Sequence, residues 1–234
     1  MKGRSVAACE RNRSPREGAP DRRASVRAMS RDRSTRQRFE GTIAGLGSTG
    51  GTRIVLGHWP VSPFGAFADV MVERADGHRL LLAPGRQVAD FVQTTYSFDE
   101  VRLVPVQVRV APPVWRVSAG PLELTFTTAG RPALGWLLRA VPAAVAASPA
   151  WASAVDPVAR VLLPGVRTRG SAGGGRREWY GARDLHRIVS MHGSWDGADL
   201  GDLAPVDPPA RFGFSSTPTR PSLTRVVSTV ELPG

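Results

Sequence analysis

Four side chains are this chain's candidates for acid–base work: Asp69, Glu73, Glu178 and His186. Carboxyl and imidazole groups exchange protons near neutral pH when burial or a neighbour moves their pKa into range. Each therefore qualifies only if the fold buries it. The rest of the chemical repertoire is narrow. Lys2 is the only lysine and Cys9 the only cysteine. Beyond the first 38 residues there is thus no amine for a Schiff base, no P-loop lysine and no thiolate nucleophile or metal ligand. Ser215 and Ser216 lie in Gly213-Phe214-Ser215-Ser216-Thr217, which is not the G-x-S-x-G of a nucleophile elbow. On one regular strand His186, His192 and Asp184 would share a face. At ~3.3 Å per residue the two imidazoles would stand about 20 Å apart, too far to hold one ion, so no metal is expected.

Gly45, Gly47 and Gly50 spell G-x-G-x-x-G, but a dinucleotide site needs that loop to open a helix. Thr52-Arg53-Ile54-Val55-Leu56 follows, with Gly57 and Pro60 close behind, and reads as a strand. The motif is expected to be a Gly-rich hairpin, and no cofactor is expected.

The elements that must position these groups centre on residues 59 to 104. Asp76-Gly77 between Val70-Met71-Val72 and Leu80-Leu81-Leu82 signals a hairpin. A two-residue turn sets Val72 opposite Leu81, Met71 opposite Leu82 and Arg74 opposite Arg79; a longer loop closing at Arg74 and Arg79 is the alternative. Pro84 opens a helix near 85–96 with Val88, Phe91, Val92 and Thr95 on one face. Val104, Val106, Val108 and Val110 alternate as a strand that Pro105 marks as an edge or bulge. Val114–Ser118 and Leu122–Thr128 form a hairpin, and residues 133–147 read as strand and linker. Ser148-Pro149 starts a helix that Asp156-Pro157 breaks, with a second turn running on to about 163. Residues 166–177 read as a mobile loop, with a backbone anion nest over 170–175 as the alternative. Asp184–His192 and Leu223–Leu232 are further strands.

Two short stretches resemble known families. Gly57-His58-Trp59 matches the G-x-W near the first strand of lipocalin-type barrels, although here a strand precedes it. Ser62-Pro63-Phe64-Gly65-Ala66-Phe67 is similar to the aromatic–Gly turn that precedes a carboxylate in acetoacetate-decarboxylase-like proteins. That family's catalytic lysine has no counterpart here, so neither stretch assigns the chain to a family.

Charge is unevenly placed. Residues 1–38 carry 12 of the 31 basic groups and 4 of the 20 acidic ones, which leaves the remainder at only +3. They contain no Leu, Ile, Phe, Trp or Tyr, so they cannot offset an ordering cost of roughly 1–2 kcal/mol per residue. The expectation is a disordered Arg-rich tail, or a spurious extension ahead of a start at Met29. A non-specific nucleic-acid arm is the functional alternative. No apolar run follows the charges, so the tail is not a signal peptide. The arginine richness fits a GC-rich coding sequence.

The expected fold of residues 39–234 is one mainly β (β-rich α+β) domain. Its antiparallel sheet curls into a barrel or half-barrel with one or two short packed helices. The expected function is a soluble, cytoplasmic, non-catalytic binder of a small apolar or amphipathic molecule inside that curl. Trp59, Phe67, Trp115 and Trp179 are its candidate lining, and Arg74 and Arg79, with Glu73, its candidate polar mouth. An acid–base enzyme in the same cavity and a pocketless interaction domain are the alternatives. No membrane span and no sequence-specific nucleic-acid contact are expected.

Overall fold

The computed structural model describes residues 36–172 and 175–232, all within the compact unit Arg33–Gly234. The expectations for the tail thus fall outside the described residues, except that a strand already begins at Arg36, ahead of the expected boundary at 38.

The elements run β1 (Arg36–Ser48), β2 (Arg53–Val61), β3 (Phe67–Glu73), β4 (Arg79–Ala83), α1 (Arg86–Gln93), β5 (Glu100–Leu103) and β6 (Val106–Ala111). Then come β7 (Val114–Ala119), β8 (Leu122–Thr128), α2 (Ala133–Ala140), α3 (Ala143–Ala146), α4 (Pro149–Leu162) and β9 (Arg169–Ala172). Last are β10 (Arg176–Trp195), β11 (Ala198–Asp199), β12 (Leu203–Ala204) and β13 (Ser222–Glu231). The protein is mostly β with few helices. Among the described residues no helix is long and apolar enough to cross a membrane.

One sheet runs β5-β4-β3-β2-β1-β13-β10-β8-β7-β6. Its two edge strands are consecutive in sequence, joined by Val104-Pro105 alone. The end of one edge strand and the start of the other therefore lie close together, but among the described residues no ladder closes the sheet. Pro105 has no N–H to offer a ladder, and the single strand expected over 104–110 is split there. Among the described residues every ladder is antiparallel except β4 with β5, which is parallel. Helix α1 makes the crossover that a parallel pair requires.

The inside of the curl is a filled apolar core. Leu46, Ile54, Leu56, Val70, Leu80 and Leu82 from one half meet Val117, Leu122, Leu124 and Phe126 from the other. Trp115 stacks on Phe126 at 5.8 Å, so this face has the period-2 apolar pattern of a sheet buried on that side.

Several local expectations change. The β3–β4 hairpin pairs Val72 with Leu80, Met71 with Leu81 and Glu73 with Arg79. The turn hydrogen bond runs from Gly77 N–H to Arg74 C=O, Arg74 N–H bonds His78 C=O, and Gly77 takes φ +85°. A type I turn closed by a left-handed glycine is longer than the two-residue turn, and it replaces an Arg–Arg pair by Glu–Arg.

Residues 133–140 and 143–146 are helical, not strand. Ala133-Leu134-Gly135-Trp136-Leu137-Leu138-Arg139-Ala140 has no β-branched residue and consists mainly of good helix formers. Gly135 lets this helix approach β10, since a Cβ there would sit 2.3 Å from the Leu185 carbonyl oxygen.

α4 continues through Pro157. Buried Asp156 holds it, accepting from Thr168 N–H at 2.8 Å and Arg160 Nε at 2.8 Å. Arg169–Ala172 pairs with Arg176–Trp179 as a hairpin, so part of the segment expected as a mobile loop is strand; Gly173 and Gly174 lie outside the described residues. A bulge between Ile188 and Ser190 lets Ile188 and Met191 enter the same core. His192 therefore falls on the outer face and does not share one with His186.

Candidate functional site

The outer face of β3, β2, β1, β13 and β10 carries the site. Period-2 alternation aligns Asp69 with Gly57, Phe39 with Ser228, and Ser228 with Tyr180 across successive ladders. Helix α1 and the segments that carry Tyr96, Phe212 and Phe214 cover this face.

Asp69 is 2% exposed and Glu178 5% exposed, and neither has a cationic partner among the described residues. Trp59 Nε1 donates to Asp69 Oδ1 at 3.1 Å. Burial pushes the Asp69 carboxyl up to about 7, with the indole N–H opposing only in part. Gly57 is required beside this bond. A Cβ there would stand 2.5 Å from both Asp69 Oδ1 and Trp59 Nε1.

Ser228 Oγ donates to Glu178 Oε1 at 2.7 Å, and the Tyr96 hydroxyl donates to Glu178 Oε2 at 3.2 Å. Burial raises Glu178 to about 6 against the hydroxyls of Ser228, Tyr180 and Tyr96. The Tyr96 and Tyr180 hydroxyls are hydrogen-bonded to each other. Burial, then the charge of Glu178, holds both phenols well above their ordinary pKa, so they remain neutral donors. The Asp69 charge also acts on Tyr96, in the same upward direction.

The flank is aromatic. The Phe39 ring lies 5.0 Å from Phe91, 5.9 Å from Phe64 and 6.0 Å from Trp59, with Phe67 at 6.4 Å. Phe214 stacks on Tyr180 at 5.8 Å. Arg176 sits over Phe91 at 5.3 Å and hydrogen-bonds Thr94. The oxygens Gln37 Oε1 and Thr95 Oγ1 are buried without a hydrogen-bond partner among the described residues.

The fold thus brings together Asp69, Trp59 and Phe67, and places Glu178 on the same outer face, on β10. The other candidates stand elsewhere. Glu73 is fully buried, yet Arg53 Nη2 lies 2.9 Å away and Arg211 Nη2 3.0 Å away. Burial pushes its carboxyl up, but the Arg211 hydrogen bonds and the Arg53 charge outweigh this and hold it low. Arg79 is engaged with Asp99 at 2.9 Å, and Arg74 lies exposed at the hairpin turn. His186 rests against the Ala129 carbonyl oxygen at 3.1 Å, with Asp184 at 3.5 Å. Trp115 belongs to the inner core, and Trp179 faces α4, donating to Ser153 Oγ at 3.2 Å.

Tyr96, Tyr180 and Ser228 are the site residues that sequence reading passed over. Tyr180 was accessible to it, since it lies two positions from Glu178 on one strand. Tyr96 arrives from the end of α1, and no local pattern announces it.

No family model matches the chain, and no curated protein matches it. Among solved structures it is similar to an acetoacetate decarboxylase from Legionella pneumophila subsp. pneumophila, at 11% identity over 86% of each chain with a TM-score of 0.38. Another acetoacetate decarboxylase structure is similar at 8% identity over 86% of this chain and 85% of that one, with a TM-score of 0.36. At these values neither likeness gives the chain an activity, a substrate or a residue's role.

Proposed function

We propose that the protein is an enzyme of lysine- and cysteine-independent acid–base chemistry, acting on a small, partly apolar molecule at the Asp69–Tyr96–Glu178 cluster. The observation that carries this reading is the pair of buried carboxyls without cationic partners, raised to about 7 and about 6. Near neutral pH, Glu178 is mainly ionised while Asp69 is about half protonated. One site then offers a proton acceptor and a proton donor, an arrangement typical of acid–base pairs. Tyr96 and Tyr180 are neutral phenols whose two hydroxyl hydrogens are taken up by Glu178 and by the bond between them, so they orient and stabilise the Glu178 carboxylate. The aromatic flank of Phe39, Phe64, Phe67 and Phe91 supplies the apolar contact. This reading moves the small-molecule site from the inside of the curl to its outer face.

A non-catalytic binder at the same place is the second reading, favoured by the size of that aromatic flank. Fragment screening by NMR in deuterated water separates the two. The wild type is expected to bind small carbonyl compounds and to exchange their acidic C–H protons, with exchange lost in Asp69→Asn and Glu178→Gln. Binding without exchange supports the binder, and no contact at the site by any fragment contradicts both.

A further inference from the structure

A second feature of the outer face lies at the other end of the sheet. Cross-strand register places Arg109 of β6 opposite Arg116 of β7, Arg116 opposite Thr125 of β8, and Thr125 opposite His192 of β10. The four form one row across four adjacent strands, about 14 Å long at ~4.8 Å per strand. The row lines a hollow of about 510 Å³ whose rim includes Gln107, Ser118 and Ser194. This is within the usual size of small-molecule sites, roughly 300–1,000 Å³.

Two arginines directly opposite each other destabilise a sheet unless something lies between them. Here no carboxylate comes within ion-pair distance of either among the described residues. The only acid of the hollow, Glu123, is in the next row and accepts from Ser118 Oγ at 2.6 Å. Two adjacent guanidiniums present planar forks of donors matched to a tetrahedral oxyanion. The Thr125 hydroxyl and the His192 ring continue the hydrogen-bonding row beyond them.

We infer that the row Arg109–Arg116–Thr125–His192 is a binding site for a small phosphorylated anion, with the phosphate between the two arginines. The lining holds no Phe, Tyr or Trp on which a run of bases could stack, and Glu123 bounds the positive stretch. Both features disfavour a single-stranded nucleic acid, which needs stacking platforms and a longer basic track. The site is independent of the buried carboxylates.

Pyrophosphate titrated into the full chain by calorimetry tests this, with Arg109→Gln, Arg116→Gln and Arg74→Gln compared. Arg74→Gln removes the same charge from the β3–β4 turn and controls for general electrostatics. Loss of roughly tenfold or more in affinity in the first two variants, with Arg74→Gln unchanged, is the expected result. The unliganded Arg116→Gln protein is expected to melt no lower than the wild type, since it loses only a repulsive pair. Equal affinity in all four proteins, or equal loss in all three variants, overturns the inference. Displacement of pyrophosphate from this row by a short single-stranded oligonucleotide overturns the assignment to a small anion.

Discussion

The Tyr96 hydroxyl donates to Glu178 Oε2 at 3.2 Å across 82 positions of sequence, and the same hydroxyl is bonded to Tyr180. Among the described residues, Glu178 thus has its charge partly stabilised by hydroxyls and by no cation. Its carboxyl is raised by burial less far than that of Asp69, which has only the Trp59 N–H.

Tyr96→Phe removes one of the hydroxyls that hold Glu178 down. The Glu178 pKa is expected to rise above about 6, and stability to fall by about 1 kcal/mol for the lost hydrogen bond. Carboxyl NMR and denaturant melts check the two effects separately. An unchanged Glu178 titration would show that Tyr96 does not act on it.

Asp69 links the site to stability. Its folded pKa, about 7, exceeds the ordinary 3.8. Between these values the unfolded chain releases a proton that the fold retains. The contribution is therefore fully present below about pH 4 and lost as pH rises through about 7. Asp69→Asn is expected to be more stable than the wild type at pH 8, by up to about 4 kcal/mol, and equal to it near pH 4. Urea melts at both pH values measure the difference, and a variant that is less stable at pH 8 refutes the linkage.

Glu73 has a different role. It is fully buried between Arg53 and Arg211, and Glu73→Gln leaves the buried Arg53 guanidinium uncompensated. A loss of about 3–5 kcal/mol is expected, with the titrations of Asp69 and Glu178 unmoved. Catalytic loss without destabilisation in this variant would instead place Glu73 in the chemistry.

Gly57→Ala drives a methyl group into the Asp69–Trp59 hydrogen bond, where it would lie 2.5 Å from each partner atom. Overpacking of this kind costs about 1–3 kcal/mol. Displacing the indole N–H, which holds Asp69 down, also raises the Asp69 pKa further. Thermal melts and carboxyl NMR together report both effects.

Much of the fold could be read locally. The Gly-rich hairpin of β1 and β2, the apolar stripe of α1 and the Ser148 cap of α4, whose hydroxyl accepts from Trp151 N–H at 3.2 Å, follow from turn chemistry and periodicity. What could not be read depends on distant partners. The type I turn at Arg74–Gly77 shifts a register by one residue, and the sequence Asp76-Gly77 is compatible with either turn. The parallel β4–β5 ladder is decided by how α1 packs. Asp69 and Glu178 could be named as titratable, but not that both would be buried without a cation while Glu73 received two. Tyr96 shows the same limit, because its role is set by a strand far along the chain.

The most direct test is the titration of the two carboxyls themselves. Carbon-13 NMR of labelled Asp and Glu side chains, assigned by Asp69→Asn and Glu178→Gln, follows each group from pH 3 to 9. The account predicts one resonance with a midpoint about 7 that disappears in Asp69→Asn, and one about 6 that disappears in Glu178→Gln. Midpoints near the ordinary values, about 4 for both, would mean that neither group exchanges protons in the neutral range, and would contradict the acid–base centre.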